Sequence, residues 1–236
     1  MDPRRTALAS LAALLLLAGC QVPDPIEATI EFQTERGMVR GVSTEDGLFA
    51  LVEVVPPAAT PLHFRYRTGD GFFDDRALLI RQTDVLALLT PESSRPHRAR
   101  FAIYPASFDD RLFIEVRTGD EADLLECHLF DQGRQGDLLV LDEGRLADVA
   151  HRYAGAGVYA WRDDMLQLVG VLNGVYCEEP ATLAFIGLDE MATLLPETSD
   201  FFVRRALPHR SDFEFGVPRD FEGEKTQVSD PAPSDG

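Results

Sequence analysis

The chain has 236 residues and carries 40 acidic against 22 basic side chains, for a formal net charge of −18. Such a surface repels phosphate backbones, which argues against sequence-independent binding of nucleic acid. Hydrophobic residues make up 45% of the chain, so it is not a wholly disordered protein. We expect an acidic folded body large enough for one all-β domain or for two smaller subdomains.

Residues 1–19 are typical of a signal peptide. Arg4 and Arg5 provide a positive start, and the apolar run over 7–18 is too short to span a bilayer. The run ends in Leu-Ala-Gly-Cys, which resembles the lipobox of bacterial lipoproteins. This resemblance implies that Cys20 becomes the first residue and carries acyl chains that hold the protein at a membrane. An ordinary secretory signal with a chance cysteine is the alternative.

The residues after Cys20 bear on location. The residue after the cysteine is Gln21 and not an aspartate. In diderm bacteria, this resembles lipoproteins that are sent to the outer membrane by default. We therefore expect an exported, lipid-anchored protein on the periplasmic face of that membrane. Pro23 and Pro25 stiffen the next residues, so 20–27 is predicted to be the lipidated cysteine and a short tether.

Residues 28–196 show short apolar runs separated by Gly, Asp and Pro. The run over 62–67 alternates apolar and polar side chains, as a half-buried strand does, and so does the run over 111–117. This pattern predicts an all-β body, with a short helix over 188–195. The predicted strands are 28–33, 38–43, 48–55, 62–67, 77–82, 85–89, 99–104, 111–117, 124–130, 137–141, 157–161, 165–172 and 182–187.

The pattern weakens after residue 196. We expect 197–216 to be an extension docked on the body, with extended segments at 201–203 and 213–215. Residues 217–236 are acidic and rich in Pro and Ser, which predicts a disordered tail.

The segment Arg67-Thr68-Gly69-Asp70 recurs as Arg117-Thr118-Gly119-Asp120. The recurrence is compatible with two related barrels. Chance repetition of a common hairpin turn explains it equally well.

Cys127 and Cys177 are the cysteines of the body. An even pair in an oxidising compartment indicates a possible disulfide, and two separately buried thiols are the alternative. Neither cysteine belongs to a CxxC motif, so a redox or zinc site is not indicated.

The sequence predicts no metal and no cofactor. No two histidines have the spacing of metal ligands, and the chain has no Gly-rich phosphate loop and no GxSxG motif. The histidines are His63, His97, His128, His151 and His209.

One segment carries a family resemblance. Tyr153-Ala154-Gly155-Ala156-Gly157-Val158 leads through a turn at 162–164 into Leu168-Val169-Gly170-Val171. This segment resembles the nucleophile turn and the following hairpin of trypsin-like serine peptidases. The run over 182–190 resembles the closing strand and C-terminal helix of that family, and 41–50 resembles its opening hairpin.

The resemblance implies two packed β-barrels, with a boundary near 91–110; a single β-sandwich is the alternative. It places the catalytic histidine position near Glu53 and Val54, the aspartate at Asp84 and the nucleophile at Ala154. Tyr153 and Gly155 would form the remnant of an oxyanion turn. Because Ala154 has no hydroxyl and neither Glu53 nor Val54 is an imidazole, this reading predicts a chain that is not an enzyme.

The function that follows is a membrane-anchored pseudopeptidase that binds extended peptides or envelope proteins, or that acts as a scaffold. A structural β-sandwich lipoprotein is one alternative. A hydrolase with a displaced nucleophile is another, with Ser43, Ser93, Ser94 or Ser107 as nucleophile and His63, His97 or His128 as base.

Overall fold

A computed structural model of the chain describes residues 23–206 except 35–36, 56–59, 69–70, 94–95, 119–120, 132–134, 141–151 and 179–180. The predicted signal peptide, Cys20, the segment 213–215 and the tail over 217–236 lie outside the described residues. Within the described ranges, no helix has the length and apolar character needed to cross a membrane.

Six antiparallel strands form a first barrel. They are β1 (Thr29–Thr34), β2 (Gly37–Ser43), β3 (Leu48–Leu51), β4 (Leu62–Thr68), β5 (Gly71–Gln82) and β6 (Leu86–Pro91). Their order is β1-β2-β3-β6-β5-β4, and pairing of β1 with β4 closes the barrel. The predicted alternation is visible in β4, where Leu62, Phe64 and Tyr66 are buried and His63 is exposed.

A second barrel repeats this topology. Its strands are β7 (Leu112–Thr118), β8 (Glu121–Asp131), β9 (Gln135–Val140), β10 (Gly157–Arg162), β11 (Met165–Glu178) and β12 (Ala181–Gly187). Their order is β10-β11-β12-β9-β8-β7, closed by pairing of β10 with β7. The prediction of two packed trypsin-like barrels is confirmed, and the single sandwich is not the fold.

The recurring Arg-Thr-Gly-Asp segment does not mark equivalent places in the two barrels. Residues 67–70 join the fourth and fifth strands of the first barrel, whereas 117–120 join the first and second strands of the other. The recurrence therefore does not mark an internal repeat of the two barrels, and residues 69–70 and 119–120 lie outside the described residues.

The predicted strand over 99–104 is wrong. Ala99 and Phe101 each make one isolated bridge, and the chain here runs between the barrels. The Phe101 ring is buried and lies 5.7 Å from the ring of Phe49 on β3. Phe101 therefore contributes an aromatic contact to the core and is not part of a β-strand.

Two short helices follow β12, namely α1 (Leu188–Ala192) and α2 (Asp200–Ala206). The helix α1 agrees with the predicted one. The predicted extended segment at 201–203 is wrong, because Ser199 caps a helix there by accepting a hydrogen bond from the Phe201 amide at 3.1 Å. Phe201 is buried, and its ring lies 5.7 Å from that of Phe101.

Polar contacts hold α2 against the first barrel. The Ser199 hydroxyl donates to Asp46 at 2.8 Å, and Arg204 donates to the carbonyl of Phe101 at 3.3 Å. Arg204 also lies 3.7 Å from Glu45. The C-terminal helix therefore bridges the inter-barrel segment and the β2–β3 turn.

The predicted disulfide is not formed in this structure. Cys127 on β8 is a free, buried thiol, and burial raises its pKa. Cys177 lies on β11, and two strands, β9 and β12, separate β8 from β11 in the barrel order. A disulfide needs its two Cα atoms within about 7 Å of each other. Neighbouring strands are already about 5 Å apart, so two strands with two others between them do not favour this distance.

The described part of the predicted tether, residues 23–27, lies against the body. Pro23 is buried, and Ile26 packs against the main core. Ala28 is buried, and its carbonyl accepts a hydrogen bond from the Ser43 amide at 2.9 Å. Residues 23–28 thus pack on the body, and Cys20, Gln21 and Val22 lie outside the described residues.

We expect the change Phe101→Ala to lower the free energy of unfolding by about 3–5 kcal/mol, because it empties the space between Phe49 and Phe201. Phe202→Ala is the control, since Phe202 is 36% exposed although its ring also lies 5.2 Å from Phe201. The control should lose about 1 kcal/mol or less. Chemical denaturation measures both, and equal losses would show that Phe101 does not join the barrels.

Candidate functional site

The predicted histidine position lies in a turn of 3-10 helix that follows β3. This helix spans Val52–Val54, and the amide of Val55 donates to the carbonyl of Val52 at 3.0 Å. All four residues of β3 are buried, so the chain leaves the barrel interior just before the helix begins. Glu53 is exposed on this turn.

The predicted aspartate position is next to that helix. The amide of Val52 donates to the carbonyl of Val85 at 3.0 Å, which brings 52–54 beside 84–85. Asp84 itself is exposed in the bend before β6, and the hydroxyl of Thr83 fixes that bend by accepting hydrogen bonds from the amides of Val85 and Leu86. The Asp84 carboxylate is therefore a solvated group, unlike the buried aspartate of a catalytic triad.

The predicted nucleophile position lies in a tight turn before β10, which we call the 153–157 turn. The amide of Ala156 donates to the carbonyl of Tyr153 at 2.8 Å. Ala154 is half-buried at the tip, and Gly155 has a φ of +89°, a value that side chains disfavour. The turn is fixed to β11, since Leu172 accepts from Gly155 at 2.8 Å and donates to Ala156 at 2.9 Å.

The 153–157 turn of the second barrel rests directly on the first barrel. A Cβ atom at position 155 would collide with the carbonyl oxygen of Arg40 on β2. The guanidinium of Arg40 lies 4.5 Å from the ring centroid of Tyr153, a cation–π contact, and 3.6 Å from the carboxylate of Glu31. Only glycine permits this close approach, so Gly155 sets how the two barrels meet.

The predicted oxyanion role of Gly155 does not fit this geometry. An oxyanion donor must be an amide that is free to bind a carbonyl oxygen of the substrate. The amide of Gly155 already donates to Leu172. The glycine therefore serves close packing, and Tyr153 serves the contact with Arg40.

The structure places two of the predicted site residues, Tyr153 and Ala154, at the interface of the two barrels. Val85, Tyr153 and Ala154 all pack against one core cluster that contains residues of both barrels. Glu53 and Asp84 are exposed, and the catalytic positions that the resemblance implies remain a prediction.

A buried polar pair at the interface was not predicted. Glu115 on β7 is 2% exposed, and its carboxylate accepts a hydrogen bond from the amide of Thr29 at 3.2 Å. Tyr159 on β10 is fully buried, and burial, followed by the charge of Glu115, raises its pKa. The only available signal was an acid in the otherwise apolar run Leu-Phe-Ile-Glu-Val.

An open strand edge next to the turn was also missed. On the side of β11 that faces β10, the described ladder ends at Val171, and only the contacts of Leu172 with the turn continue it. Residues 173–175 have no ladder partner in the described registers. Val175 is 58% exposed, and its amide donates to the side chain of Asn173 at 2.8 Å.

The structure does not pair the alternative nucleophiles with a base. Ser43 is buried, and Ser93 donates to Asp75 at 3.0 Å. Among the described residues, no hydrogen bond joins Ser43, Ser93 or Ser107 to a histidine, and Ser94 is outside them. The candidate bases, His63, His97 and His128, are exposed. In the same ranges, no group of three His, Cys, Asp or Glu side chains could hold a metal ion.

Comparison with solved structures identifies the class of fold. The chain is similar to the protease domain of MamO from Magnetospirillum magneticum (TM-score 0.53, 10% identity, 73% of this chain and 97% of that one). It is also similar to a serine endoprotease of Yersinia pestis (0.53, 15%, 73% and 65%) and to a human pathogenic astrovirus serine protease (0.50, 14%, 71% and 93%). No family model and no curated protein matches the sequence.

These similarities show that the body has the chymotrypsin fold. They contradict the prediction that the chain is not an enzyme, because the three solved structures named above are of proteases. That prediction rested on residue identities at positions 53, 54 and 154, and the class of fold points the other way.

Substitution at Gly155 tests the close packing of the 153–157 turn against Arg40. We expect Gly155→Ala to lower the free energy of unfolding by about 3–5 kcal/mol, because the new methyl group adds a clash with Arg40 to the strain of a positive φ. Gly71→Ala is the matched control: its φ is +133°, but nothing lies within 4 Å of its Cβ position. It should lose about 1–3 kcal/mol. Thermal unfolding compares them, and equal losses would contradict the close approach.

Proposed function

We propose that the chain is a membrane-anchored protein of the trypsin-like class that binds extended polypeptides or envelope proteins at the open edge of β11. The observation that carries this proposal is the position of that edge directly after Leu172, which is hydrogen-bonded to Gly155 and Ala156 of the 153–157 turn. An extended peptide would add a strand to β11, using backbone hydrogen bonds for affinity and nearby side chains for selectivity.

The local geometry supports strand addition. Leu172 fixes the 153–157 turn at one end of the open edge. The next residues, 173–175, break the register of β11 with β12, and Gly174 has a φ of +82°. Asn173 holds the amide of Val175, so an incoming carbonyl group would replace a side-chain oxygen and not a ladder partner.

The surface charge favours certain ligands. The net charge of −18 repels acidic polypeptides and attracts basic ones at low ionic strength, and it leaves neutral ones unaffected. Hydrolysis of a peptide bond is the reaction of the proteases that share the fold, so cleavage is measured together with binding.

A fluorescent library of neutral decapeptides tests the edge. We expect binding by the full chain, measured by fluorescence anisotropy, and loss of binding when alternate amides of the same peptides are N-methylated, because those amides can no longer pair. Ala154→Trp should weaken binding about tenfold or more by filling the end of the edge. Ala192→Trp is the control, since Ala192 is also partly buried against the same core.

Equal binding of the N-methylated peptides would contradict strand addition, and an equal effect of the two tryptophan variants would contradict the location. Mass spectrometry of the same mixtures records any cleavage. Peptides cut within the bound register would assign protease activity to this edge.

The membrane anchor is the second part of the proposal. Pro23 is buried against the body, so only the three peptide units from Cys20 to Pro23 separate them, a reach of about 10 Å. An acylated Cys20 would therefore hold the body directly at the bilayer surface, with little freedom to turn away.

Cys20→Ala is expected to abolish incorporation of labelled palmitate and to move the protein from the membrane fraction to the soluble fraction, because lasting attachment needs more than one acyl chain. Cys177→Ala is the control and should remain in the membrane fraction. Palmitate labelling that persists in Cys20→Ala would refute the anchor and leave the peptide edge untouched.

A further inference from the structure

Two neighbouring aromatic residues on β5 are both exposed. Phe72 is 44% exposed and Phe73 is 47% exposed. Successive side chains of a strand point to opposite faces, so one ring of such a pair is normally covered by the barrel. In the described registers, residues 71–76 pair with β4 alone, and the pairing of β5 with β6 begins only after them. The two strands therefore extend beyond the barrel as a two-stranded ribbon, which we call the β4–β5 ribbon (residues 65–68 and 71–74).

Arginine side chains of β4 flank these rings. The guanidinium of Arg65 lies 5.0 Å from the ring centroid of Phe72 and 2.7 Å from the carboxylate of Glu31. Arg67 is opposite Phe72 and partly exposed, and among the described residues it makes no ion pair. Asp74, an acid of the ribbon, is opposite Arg65. Aromatic rings beside guanidinium groups suit a membrane surface, where the rings enter the head-group region and a guanidinium binds phosphate.

The ribbon lies at the end of the first barrel at which the chain enters it. Ile30 near the start of β1 is opposite Tyr66 of β4, which is in turn opposite Phe73 of β5. The start of β1 is thus two strand spacings, about 10 Å, from the ribbon. The rings of Tyr66 and Phe73 are stacked with centroids 6.0 Å apart, which holds the exposed ring in place. The chain that comes from Cys20 therefore joins the barrel beside the ribbon.

A second pair of exposed aromatic rings is less suited to a bilayer. Tyr104 and Phe108 on the inter-barrel segment are 48% and 59% exposed. Their neighbours are acidic: Asp109 follows Phe108, and Asp163 follows Arg162, whose guanidinium donates to the carbonyl of Tyr104 at 2.9 Å. Lipid phosphates repel carboxylates and attract guanidinium groups, so charge favours the ribbon as the face that meets the membrane.

We propose that the β4–β5 ribbon inserts Phe72 and Phe73 into the head-group region of the phospholipid bilayer, with Arg67 bound to a lipid phosphate. This contact rests on the membrane anchor of the proposed function, and it adds the face that the body turns toward the bilayer. Two phenylalanine rings alone bind a bilayer weakly, but tethering at Cys20 raises their effective concentration at its surface. The acyl chains and the ribbon together fix one orientation of the body.

Quenching of tryptophan fluorescence by brominated lipid tests the contact. The acylated full chain is placed in phosphatidylcholine vesicles whose acyl chains carry bromine near the head group, and Trp161→Phe removes its single tryptophan. We expect Phe73→Trp in this background to lose about half of its emission, because an interfacial ring lies about 5–10 Å deep. Phe130→Trp is the matched control: Phe130 on β8 is 45% exposed, and this variant should keep its emission.

A further variant tests the phosphate contact. Arg67→Gln, added to Phe73→Trp, should reduce the quenching about twofold, because the amide carries no charge to bind phosphate. His63→Gln is the control, since His63 is exposed on the same face of β4 but four residues before Arg67, and it should leave the quenching unchanged. Equal quenching in Arg67→Gln and His63→Gln would contradict the role of Arg67.

Flotation of the same vesicles separates the ribbon contact from the anchor. Protein that floats, but in which Phe73→Trp is quenched no more than Phe130→Trp, would overturn the ribbon contact and leave the anchor intact. Protein that does not float would overturn the anchor and, with it, the contact that rests on it. Emission of Phe73→Trp that shifts to the blue in cell envelopes, yet is not quenched by brominated lipid, would assign the ribbon to a protein partner and overturn the proposal.

Discussion

Two closed barrels have no strand in common, so their relative position depends on side chains buried where they meet. The main core cluster spans that interface, with Val42 and Phe49 from the first barrel and Val158 and Leu172 from the second. Phe201 of α2 belongs to the same cluster. Because the 153–157 turn also packs there, the shape of the candidate site is a consequence of how the barrels fit together.

The alternating pattern predicted strands such as β4, in which one face is buried and the other faces solvent. It failed where burial has another cause. The apolar residues Phe101 and Ala102 made the run over 99–104 look like a strand. In the structure they are buried between the barrels and do not belong to a strand ladder. The run at 201–203 was too short to reveal a helix that depends on the Ser199 cap and on the docking of Phe201.

The candidate site was predictable in part. A glycine-rich turn before a strand and a short apolar strand are local features of the sequence, and the structure has the turn at 153–157 and the strand at Leu48–Leu51. The open edge of β11 and the buried Glu115 were not predictable, since each depends on residues distant in the sequence. The prediction about enzymatic activity failed for a related reason: it weighed three residue identities and not the class of fold, which the comparisons with proteases supply.

The central claim is that an extended peptide adds to β11 beside the 153–157 turn. Hydrogen exchange at single amides, measured on the full chain with and without a bound decapeptide, tests it most directly. The account predicts new protection at residues 173–178 and no change along 71–76 of β5, another segment at a barrel end. Protection confined to β5, or none along β11 at saturating peptide, would contradict it.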